Sequence, residues 1–271
     1  MRSRISPALR ALQFLVGGVI FWFFAVPVII VAISSVSGEW LATVFPTGLT
    51  LKWFARLDAS DWQAVATSLE VSTLVAVLGT ALGVWLALSV NDLEGRRLGG
   101  LIDAVIMVPN AVPSVVVGLA VLLAYHAPPL DISRSWAIVV LVQVALVLPF
   151  CYRINAAALK QEIPIYREAA AGLGAAPPMV LRRVVLPLLE PAIRASLAIA
   201  FALSLGELGA TLMVYPPGFA TVPIVVIGDV ERGFYYLASA LAFILLALSL
   251  IVLVLVAGRK RLARSIVVAE R

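Results

Sequence analysis

Carboxylates inside apolar stretches are the residues of this sequence best suited to bind a hydrophilic solute or to carry a proton. Glu207 stands in the run SLGELGAT, where Gly206 and Gly209 permit close approach of the backbone. An ionisable side chain in hydrocarbon is costly, and such residues usually pair with another group or line a pathway for an ion or a substrate. We therefore expect Glu207 to line a substrate pathway; a structural hydrogen bond to a neighbouring helix is the alternative.

Four further ionisable residues lie within apolar stretches: Glu70, Asp103, Arg153 and Arg194. Glu70 is expected in the outer part of its stretch. The other three are expected near cytoplasmic ends, where long side chains reach water and loop groups can satisfy a charge. These four are therefore weaker candidates than Glu207 for contact with a substrate.

The run VPNAVPS combines two helix-breaking prolines with polar side chains. Pro109 and Pro113 each remove a helical hydrogen bond, while Asn110 and Ser114 offer polar groups. Broken helices at membrane depth are tolerated where the freed backbone faces protein or a water-filled cavity. We expect Asn110, Pro113 and Ser114, together with Thr211, to belong to the pathway; a purely structural kink is the alternative for the proline pair.

The chain holds little with which to build a catalytic site. It has one histidine, His126, and one cysteine, Cys151, so it offers no CxxC motif, no intrachain disulfide and no set of Ser, His and acid. It also lacks GxxxxGK[ST], the loop that binds the phosphates of ATP. We expect a non-catalytic chain that binds no metal; a membrane enzyme, or a secondary transporter using Glu70 or Glu207 for protons, are the remote alternatives.

The composition is that of an integral membrane protein. Of 271 residues 62% are hydrophobic and 13% are charged, and the mean hydropathy is +1.07. Apolar segments long enough to cross roughly 30 Å of hydrocarbon predict an all-α fold of six transmembrane helices in a single domain over residues 1–271. The spans are expected at about 14–34, 64–90, 101–124, 136–158, 188–214 and 234–257. The first is too long for the apolar part of an ordinary signal peptide.

The basic residues predict the orientation. Fourteen of the 20 Lys and Arg residues fall in the tails and in the connections on the same side. They are Arg2, Arg4, Arg10, Arg96, Arg97, Lys160, Arg167, Arg182, Arg183, Arg259, Lys260, Arg261, Arg264 and Arg271. The opposite connections hold only Lys52, Arg56, Arg134 and Arg232. Because basic residues favour the cytoplasmic side, both termini are expected in the cytoplasm, and the positive charge needs no nucleic acid partner.

A cytoplasmic segment, residues 159–187, is expected between the fourth and fifth spans. Pro164 suits the first turn of a short helix, Glu168 is expected close to its positive N-terminal end, and Gly174 can stop it. Pro177 and Pro178 can begin a second short helix, and Pro187 is expected at the entry to the fifth span. From the residues alone, a helix lying on the membrane surface and a docking site for a partner both remain open.

The spacing within this segment resembles the EAA signature of the permease subunits of binding-protein-dependent ABC importers. The matching residues are Glu168, Ala169, Ala170, Gly174, Leu186 and Pro187, with Val184 where the family usually has Ile. Six spans with the signature between the fourth and fifth also match the family's common type I core. The chain thus resembles the members of that family, and the resemblance extends over most of its length.

The resemblance implies that Glu168 to Gly174 form a coupling helix seated in a cleft of a cytoplasmic ABC ATPase dimer. Arg167, Leu186 and Pro187 are expected to belong to the same coupling region. Further partners would be a second permease subunit, either this chain or a similar one, an extracytoplasmic solute-binding protein, and membrane lipid. ATP and Mg would be bound by the ATPase and not by this chain. The location implied is a bacterial inner membrane.

The substrate is suggested by the run SLGELGATLMVYPPGFATVPI. It resembles the corresponding region of permeases for molybdate, sulfate, ferric iron and phosphonate, and its YPPG loop most resembles the 2-aminoethylphosphonate type. A carboxylate at Glu207 would suit the amine of that compound. A small organophosphonate is therefore the expected substrate, with molybdate, sulfate, ferric iron, thiamine or a polyamine as alternatives.

Overall fold

A computed structural model describes residues 7–38, 40, 46, 48–91, 97–133, 135–161 and 163–257. Within these ranges the chain is helical apart from its connections and one isolated bridge between Ser37 and Leu49. The helices are α1 Pro7–Ser35, α2 Lys52–Ala55, α3 Ala59–Asn91, α4 Arg97–Met107, α5 Ser114–Ala124, α6 Trp136–Leu159, α7 Ile163–Gly172, α8 Pro177–Val180, α9 Leu186–Leu205, α10 Gly209–Val214, α11 Val222–Glu231 and α12 Tyr235–Ala257. This arrangement confirms the all-α fold.

Five helical stretches are long and apolar enough to cross a membrane, and a bent pair makes a sixth if it counts as one span. The five are Leu12–Ser35, Ala59–Asn91, Trp136–Leu159, Pro177–Leu205 and Tyr235–Val256. They overlap the expected first, second, fourth, fifth and sixth spans, although the stretch at the fifth ends at Leu205 and not at residue 214. Half of the basic residues behind the orientation prediction, namely Arg2, Arg4, Arg96, Arg134 and the five after residue 257, lie outside the described residues, so the orientation stays a prediction.

The third expected span, 101–124, is not one helix. Leu98–Ala111 and Ser114–Ala124 meet at an angle of 107°. The first segment ends in a 3₁₀ turn, Val108–Ala111, and Val112 is extended before Pro113. Pro113 has no backbone N–H to donate, and its ring holds the preceding residue out of the helical region. The predicted kink is therefore a complete break.

The fifth expected span, 188–214, is also divided. Helix α9 ends at Leu205, and α10 begins at Gly209 after a three-residue break. The carboxylate of Glu207 accepts a hydrogen bond from the backbone N–H of Ala210, 2.5 Å away. The backbone N–H groups in the first turn of a helix have no acceptor within that helix. The Glu207 side chain supplies one for α10. The prediction of one continuous helix was wrong at this point.

The connection between the fifth and sixth spans contains a helix that the sequence analysis did not predict. The connection begins with a tight turn, in which Gly218 has a φ of +78° and Phe219 N–H bonds to the carbonyl of Pro216. The ten residues of α11 then follow, Val222–Glu231. An apolar segment of this length is too short to cross a membrane, so the span criterion does not detect it.

The described chain divides into two compact units, Met1–Asp61 with Val225–Ile244, and Trp62–Ile224 with Leu245–Arg271. In the second unit α3 packs closely on α6. A Cβ added to Gly79 would stand 2.6 Å from Val147 Cγ2, and one added to Gly83 would stand 2.6 Å from Cys151 Cβ. These two glycines, spaced as GxxxG, therefore bring the two helices close enough for backbone contact.

The first unit is held by aromatic and polar contacts near the ends of its helices. The ring of Trp53 stacks on Tyr236 with centroids 5.1 Å apart, and its indole N–H donates to the carbonyl of Ser37. Asp58 accepts hydrogen bonds from the Ser60 hydroxyl and from backbone N–H groups, which lower the pKa of its carboxyl. Helix α1 belongs to this unit, and no residue of its most apolar window is buried. Its side chains are therefore free to contact lipid or another chain.

Candidate functional site

A cavity of about 210 Å³ lies where the helix break between α4 and α5 meets α6 and the end of α9. Polar and apolar side chains share its wall. The lining residues are Pro109, Asn110, Val112, Ser114, Gln143, Leu146, Val147, Phe150, Leu203, Ser204 and Glu207. Three residues expected in the pathway, Asn110, Ser114 and Glu207, thus meet around one space although they lie nearly 100 positions apart in the sequence.

Glu207 has two roles in this geometry. Its side chain is partly exposed and lines the cavity, and its Oε1 atom accepts the hydrogen bond from Ala210 N–H. The alternative to a pathway role was a structural hydrogen bond to a neighbouring helix. Such a bond is present, and it joins Glu207 to α10, the next helix along the chain. One carboxylate can hold the start of α10 and present negative charge to the cavity, because it has two oxygens.

Gln143 is a cavity residue that the sequence analysis missed. It is 1% exposed. Its Oε1 accepts a hydrogen bond of 2.5 Å from the Ser204 hydroxyl, and its Nε2 donates to Thr211 Oγ1 at 2.9 Å. Ser204 Oγ also lies 3.2 Å from Ser72 Oγ. The signal was a single amide in the apolar run VLVQVALVL, which indicates no partner because both partners of Gln143 are far away in sequence.

The other two residues expected in the pathway stand beside the cavity. Thr211 is fully buried and bonds to Gln143, so it supports the wall from behind. Pro113 immediately precedes α5 and sets its start. Gly209 leaves room for the Ser114 hydroxyl, and a Cβ on Gly118 would stand 2.7 Å from the carbonyl oxygen of Ala210. Helices α5 and α10 therefore pack with their backbones nearly in contact, which fixes the shape of this side of the cavity.

The remaining ionisable residues lie elsewhere. Asp103 accepts a hydrogen bond from the Tyr152 hydroxyl, and Arg194 forms an ion pair with Glu190 one turn earlier on α9. These two have partners within the chain. Arg153 is exposed. Glu70 lines a different cavity.

The segment expected to couple to a partner forms helix α7, Ile163–Gly172, and ends as the sequence predicted. Gly174 has a φ of +80°. Its N–H bonds to the carbonyl of Ala171, and the N–H of Ala175 bonds to the carbonyl of Ala170. This pair of bonds is the Schellman ending, which favours glycine at the residue with positive φ. One expectation was wrong: Glu168 is the sixth residue of α7 and not part of its first turn.

Helix α7 has an inner and an outer face. Pro164, Arg167 and Ala171 line a groove of about 520 Å³ against α8 and the ends of α3 and α6, and Ala170 packs on the buried cluster beneath. Glu168 and Ala169 are exposed. So is Leu173, whose side chain is 89% exposed. The residues expected to take part in coupling are therefore divided: Ala170 packs on the protein and the exposed Arg167 lines the groove, while Glu168 and Ala169 face outward.

Leu186 and Pro187 stand where α9 leaves a π-helical turn, Leu181–Val185. The backbone N–H of Leu186 reaches back five residues to the carbonyl of Leu181. Pro187 has no backbone N–H to donate to the carbonyl four residues earlier. A missing helical hydrogen bond of this kind is a common cause of a π-helical turn. The helix nevertheless continues, and the span runs from Pro177 to Leu205. Pro187 therefore marks a local widening within a long helix.

Comparison with known proteins agrees with this architecture. Residues 79–266 match the family model described as "Binding-protein-dependent transport system inner membrane component". A protein of Salmonella typhimurium named as a 2-aminoethylphosphonate transport system permease, PhnV, is 34% identical over 92% of this chain and 94% of its own. The putrescine transport system permease PotI of Escherichia coli is 28% identical over 83% and 82% of the two chains.

A solved structure shows the same fold. A chain of a bacterial ABC transporter that imports the acidic polysaccharide alginate superposes with a TM-score of 0.73 at 17% identity, and the match covers 93% of this chain and 94% of that one. At this identity the likeness speaks to the fold, which is that of a type I importer permease. Together with the family match over most of the sequence, it fits the multi-pass architecture and the EAA spacing. The chain therefore belongs to the family of inner-membrane permease components of binding-protein-dependent ABC importers.

Proposed function

We propose that this permease subunit imports 2-aminoethylphosphonate or a closely similar aminoalkyl phosphonate. The observation that carries the proposal is the 34% identity to the PhnV permease over almost the whole of both chains. The cavity is compatible with such a solute, because the Glu207 carboxylate can attract an amine while Asn110, Ser114 and the groups near them offer hydrogen bonds. The external binding protein would supply most of the selectivity.

The outer face of α7 is the proposed contact with a separate ATPase, which would hold ATP and Mg. Ala169 is small and exposed, Glu168 is charged and exposed, and Leu173 exposes nearly all of its apolar side chain. A small-residue helix face with one charge and one apolar projection suits a cleft with a basic group. The proposed assembly also includes a second permease subunit and an extracytoplasmic binding protein, with both termini in the cytoplasm.

Movement of α7 can reach the cavity through one long helix. The turn at Gly174 joins α7 to the helical stretch that runs from Pro177 to Leu205. At 1.5 Å per residue these 29 residues span about 43 Å. Ser204, near the far end, lines the cavity and bonds to Gln143. A displacement at α7 therefore acts on the same helix that carries the polar wall of the pathway.

Uptake of labelled 2-aminoethylphosphonate into proteoliposomes tests the substrate. The vesicles would contain this chain with its co-purifying ATPase and permease partners, and the binding protein would be added outside. We expect ATP-dependent uptake that unlabelled 2-aminoethylphosphonate abolishes and that an excess of putrescine or molybdate leaves unchanged. Strong competition by either of the latter would overturn the phosphonate assignment.

A polyamine is the second candidate substrate. It is favoured by the 28% identity to the putrescine permease PotI and by the presence of carboxylates in two separate cavities, at Glu207 and at Glu70. Labelled putrescine in the same vesicles distinguishes the two. Uptake of putrescine with no uptake of 2-aminoethylphosphonate would establish the second candidate in place of the first.

A further inference from the structure

A second cavity, of about 270 Å³, lies apart from the pathway residues and has its own chemistry. It is lined by Thr67, Glu70, Val71, Leu74, Trp136 and Phe219. It thus combines one carboxylate with two aromatic rings, and the rest of its wall consists of the aliphatic Val71 and Leu74 and the hydroxyl-bearing Thr67. None of these residues lines the cavity that holds Glu207.

The three chemically distinctive side chains come from three different elements. Glu70 stands on α3 and is exposed. Within the described part of the chain it has no ion pair or hydrogen bond, so its charge is available to a ligand. Trp136 begins α6 and is 56% exposed. A tryptophan at the end of a membrane span is typical of the aromatic belt at the membrane surface, but such a role does not account for its place in one cavity with a carboxylate.

Phe219 is positioned by the YPPG turn. Gly218 adopts a φ of +78°, and the N–H of Phe219 bonds to the carbonyl of Pro216 at 3.1 Å. Three residues later the backbone N–H of Val222 donates to the hydroxyl of Ser68 at 2.8 Å, on the helix that carries Glu70. The turn is therefore fastened to α3 close to the cavity. Phe219 also packs against the buried core of this unit, which limits its rotation.

A carboxylate and two aromatic rings around one cavity match the chemistry of an organic ammonium group. The carboxylate supplies opposite charge, and the rings attract a cation through their negative faces when it lies within about 6 Å of a ring centre. A phosphonate or other anion would be repelled by Glu70, and a purely apolar ligand would leave its charge unused. We propose that Glu70, Trp136 and Phe219 form a binding site for a primary ammonium group, separate from the pathway cavity.

Two sources could supply that group, the amine of a transported solute or the headgroup of phosphatidylethanolamine. The first source rests on the proposed function, whereas the site itself does not. Binding can be measured without transport by ¹⁹F NMR on the full chain with its partners in nanodiscs, after labelling its six tryptophans with 5-fluorotryptophan. The resonance of Trp136 would be identified by its loss in Trp136→Phe. The probes are ethylammonium, ethylphosphonate and 2-aminoethylphosphonate.

In nanodiscs of phosphatidylglycerol we expect ethylammonium to shift the Trp136 resonance saturably and ethylphosphonate to leave it in place. Glu70→Gln should weaken the ethylammonium response by roughly tenfold or more, because it removes the charge and keeps the shape. Phe219→Leu should weaken it less. Glu231→Gln, which changes an exposed carboxylate outside this cavity, should leave it unchanged.

The remaining arms identify the source. A response to 2-aminoethylphosphonate that persists in phosphatidylethanolamine nanodiscs assigns the site to the solute. A resonance already shifted in phosphatidylethanolamine nanodiscs, and no longer moved by ethylammonium, assigns it to the lipid. The proposal is overturned if ethylammonium gives no saturable shift in wild-type protein, or the same shift in Glu70→Gln. Failure of 2-aminoethylphosphonate uptake with an intact ethylammonium response would contradict only the proposed substrate.

Discussion

Glu207 holds the start of α10 with one carboxylate oxygen, 2.5 Å from the backbone nitrogen of Ala210, while the same side chain lines the cavity at the break between α4 and α5. This relationship joins the stability of a helix start to the charge that faces the cavity. The two contributions can be separated, because an amide keeps an acceptor oxygen and loses the charge.

Glu207→Gln is expected to impair uptake and to preserve the fold. The amide oxygen can still accept the bond from Ala210 N–H, whereas the negative charge facing the cavity is lost. Glu207→Ala should in addition destabilise the protein by about 1 kcal/mol, the usual cost of losing a helix-capping side chain. Uptake and thermal unfolding of both variants check this. Normal uptake by Glu207→Gln would show that the negative charge of Glu207 is not needed for transport.

Gln143→Leu is expected to destabilise the second unit. The change removes the hydrogen bond that Gln143 donates to the buried Thr211 hydroxyl and leaves the Ser204 hydroxyl with Ser72 alone. An unsatisfied buried polar group costs about 1–3 kcal/mol. Unfolding in detergent with denaturant measures the loss. Leu141→Ala, at an exposed position on the same helix, is the control and should change the free energy of unfolding far less. Equal effects would show that the polar cluster carries no special stability.

Gly83→Ala should disturb the contact between α3 and α6. The new Cβ would stand 2.6 Å from Cys151 Cβ and 2.8 Å from the backbone carbonyl carbon of the same residue. Overpacking of this kind typically costs about 1–3 kcal/mol. Gly100→Ala is the matched control, because no atom lies within 4 Å of its added Cβ. Thermal unfolding should separate the two variants, and a Gly83→Ala protein as stable as wild type would contradict the close packing.

Gly174→Ala should loosen the turn after α7. The φ of +80° at this residue is unfavourable for any side chain with a Cβ, at a cost of about 1 kcal/mol or more. We expect weaker binding of the ATPase and reduced uptake, measured by co-purification and transport. Gly228→Ala, in α11 with nothing within 4 Å of the added Cβ, is the control and should behave like wild type. If the control variant lost more ATPase binding and uptake than Gly174→Ala, the turn geometry would be unimportant.

The break in the third span shows what the sequence could and could not predict. Pro109 and Pro113 lack backbone donors, so an interruption at this point follows from the residues alone. The angle of 107° does not, since it depends on how α5 packs against α10 through Gly118 and Gly209. Gly174 was likewise predictable as a helix end because the required φ is a local property.

The cavity was only partly predictable for the same reason. Glu207, Asn110 and Ser114 attract notice as polar residues in apolar surroundings. Gln143 has the same character, but its importance comes from partners 61 and 68 positions away, and a single sequence does not show which distant residues meet. The division of α7 into an inner face with Arg167 and an outer face with Glu168 also depends on packing against other helices.

The central claim is that α7 transmits the work of an ATPase to this pathway through its outer face. Glu168→Ala tests it most directly, with uptake and binding-protein-stimulated ATP hydrolysis measured in the same proteoliposomes and Glu231→Ala as the control. Truncating one side of a desolvated charge pair costs about 2–5 kcal/mol, so we predict that uptake falls by at least about tenfold while the chain remains folded. Unchanged uptake in Glu168→Ala, with a normal amount of folded protein, would contradict the claim.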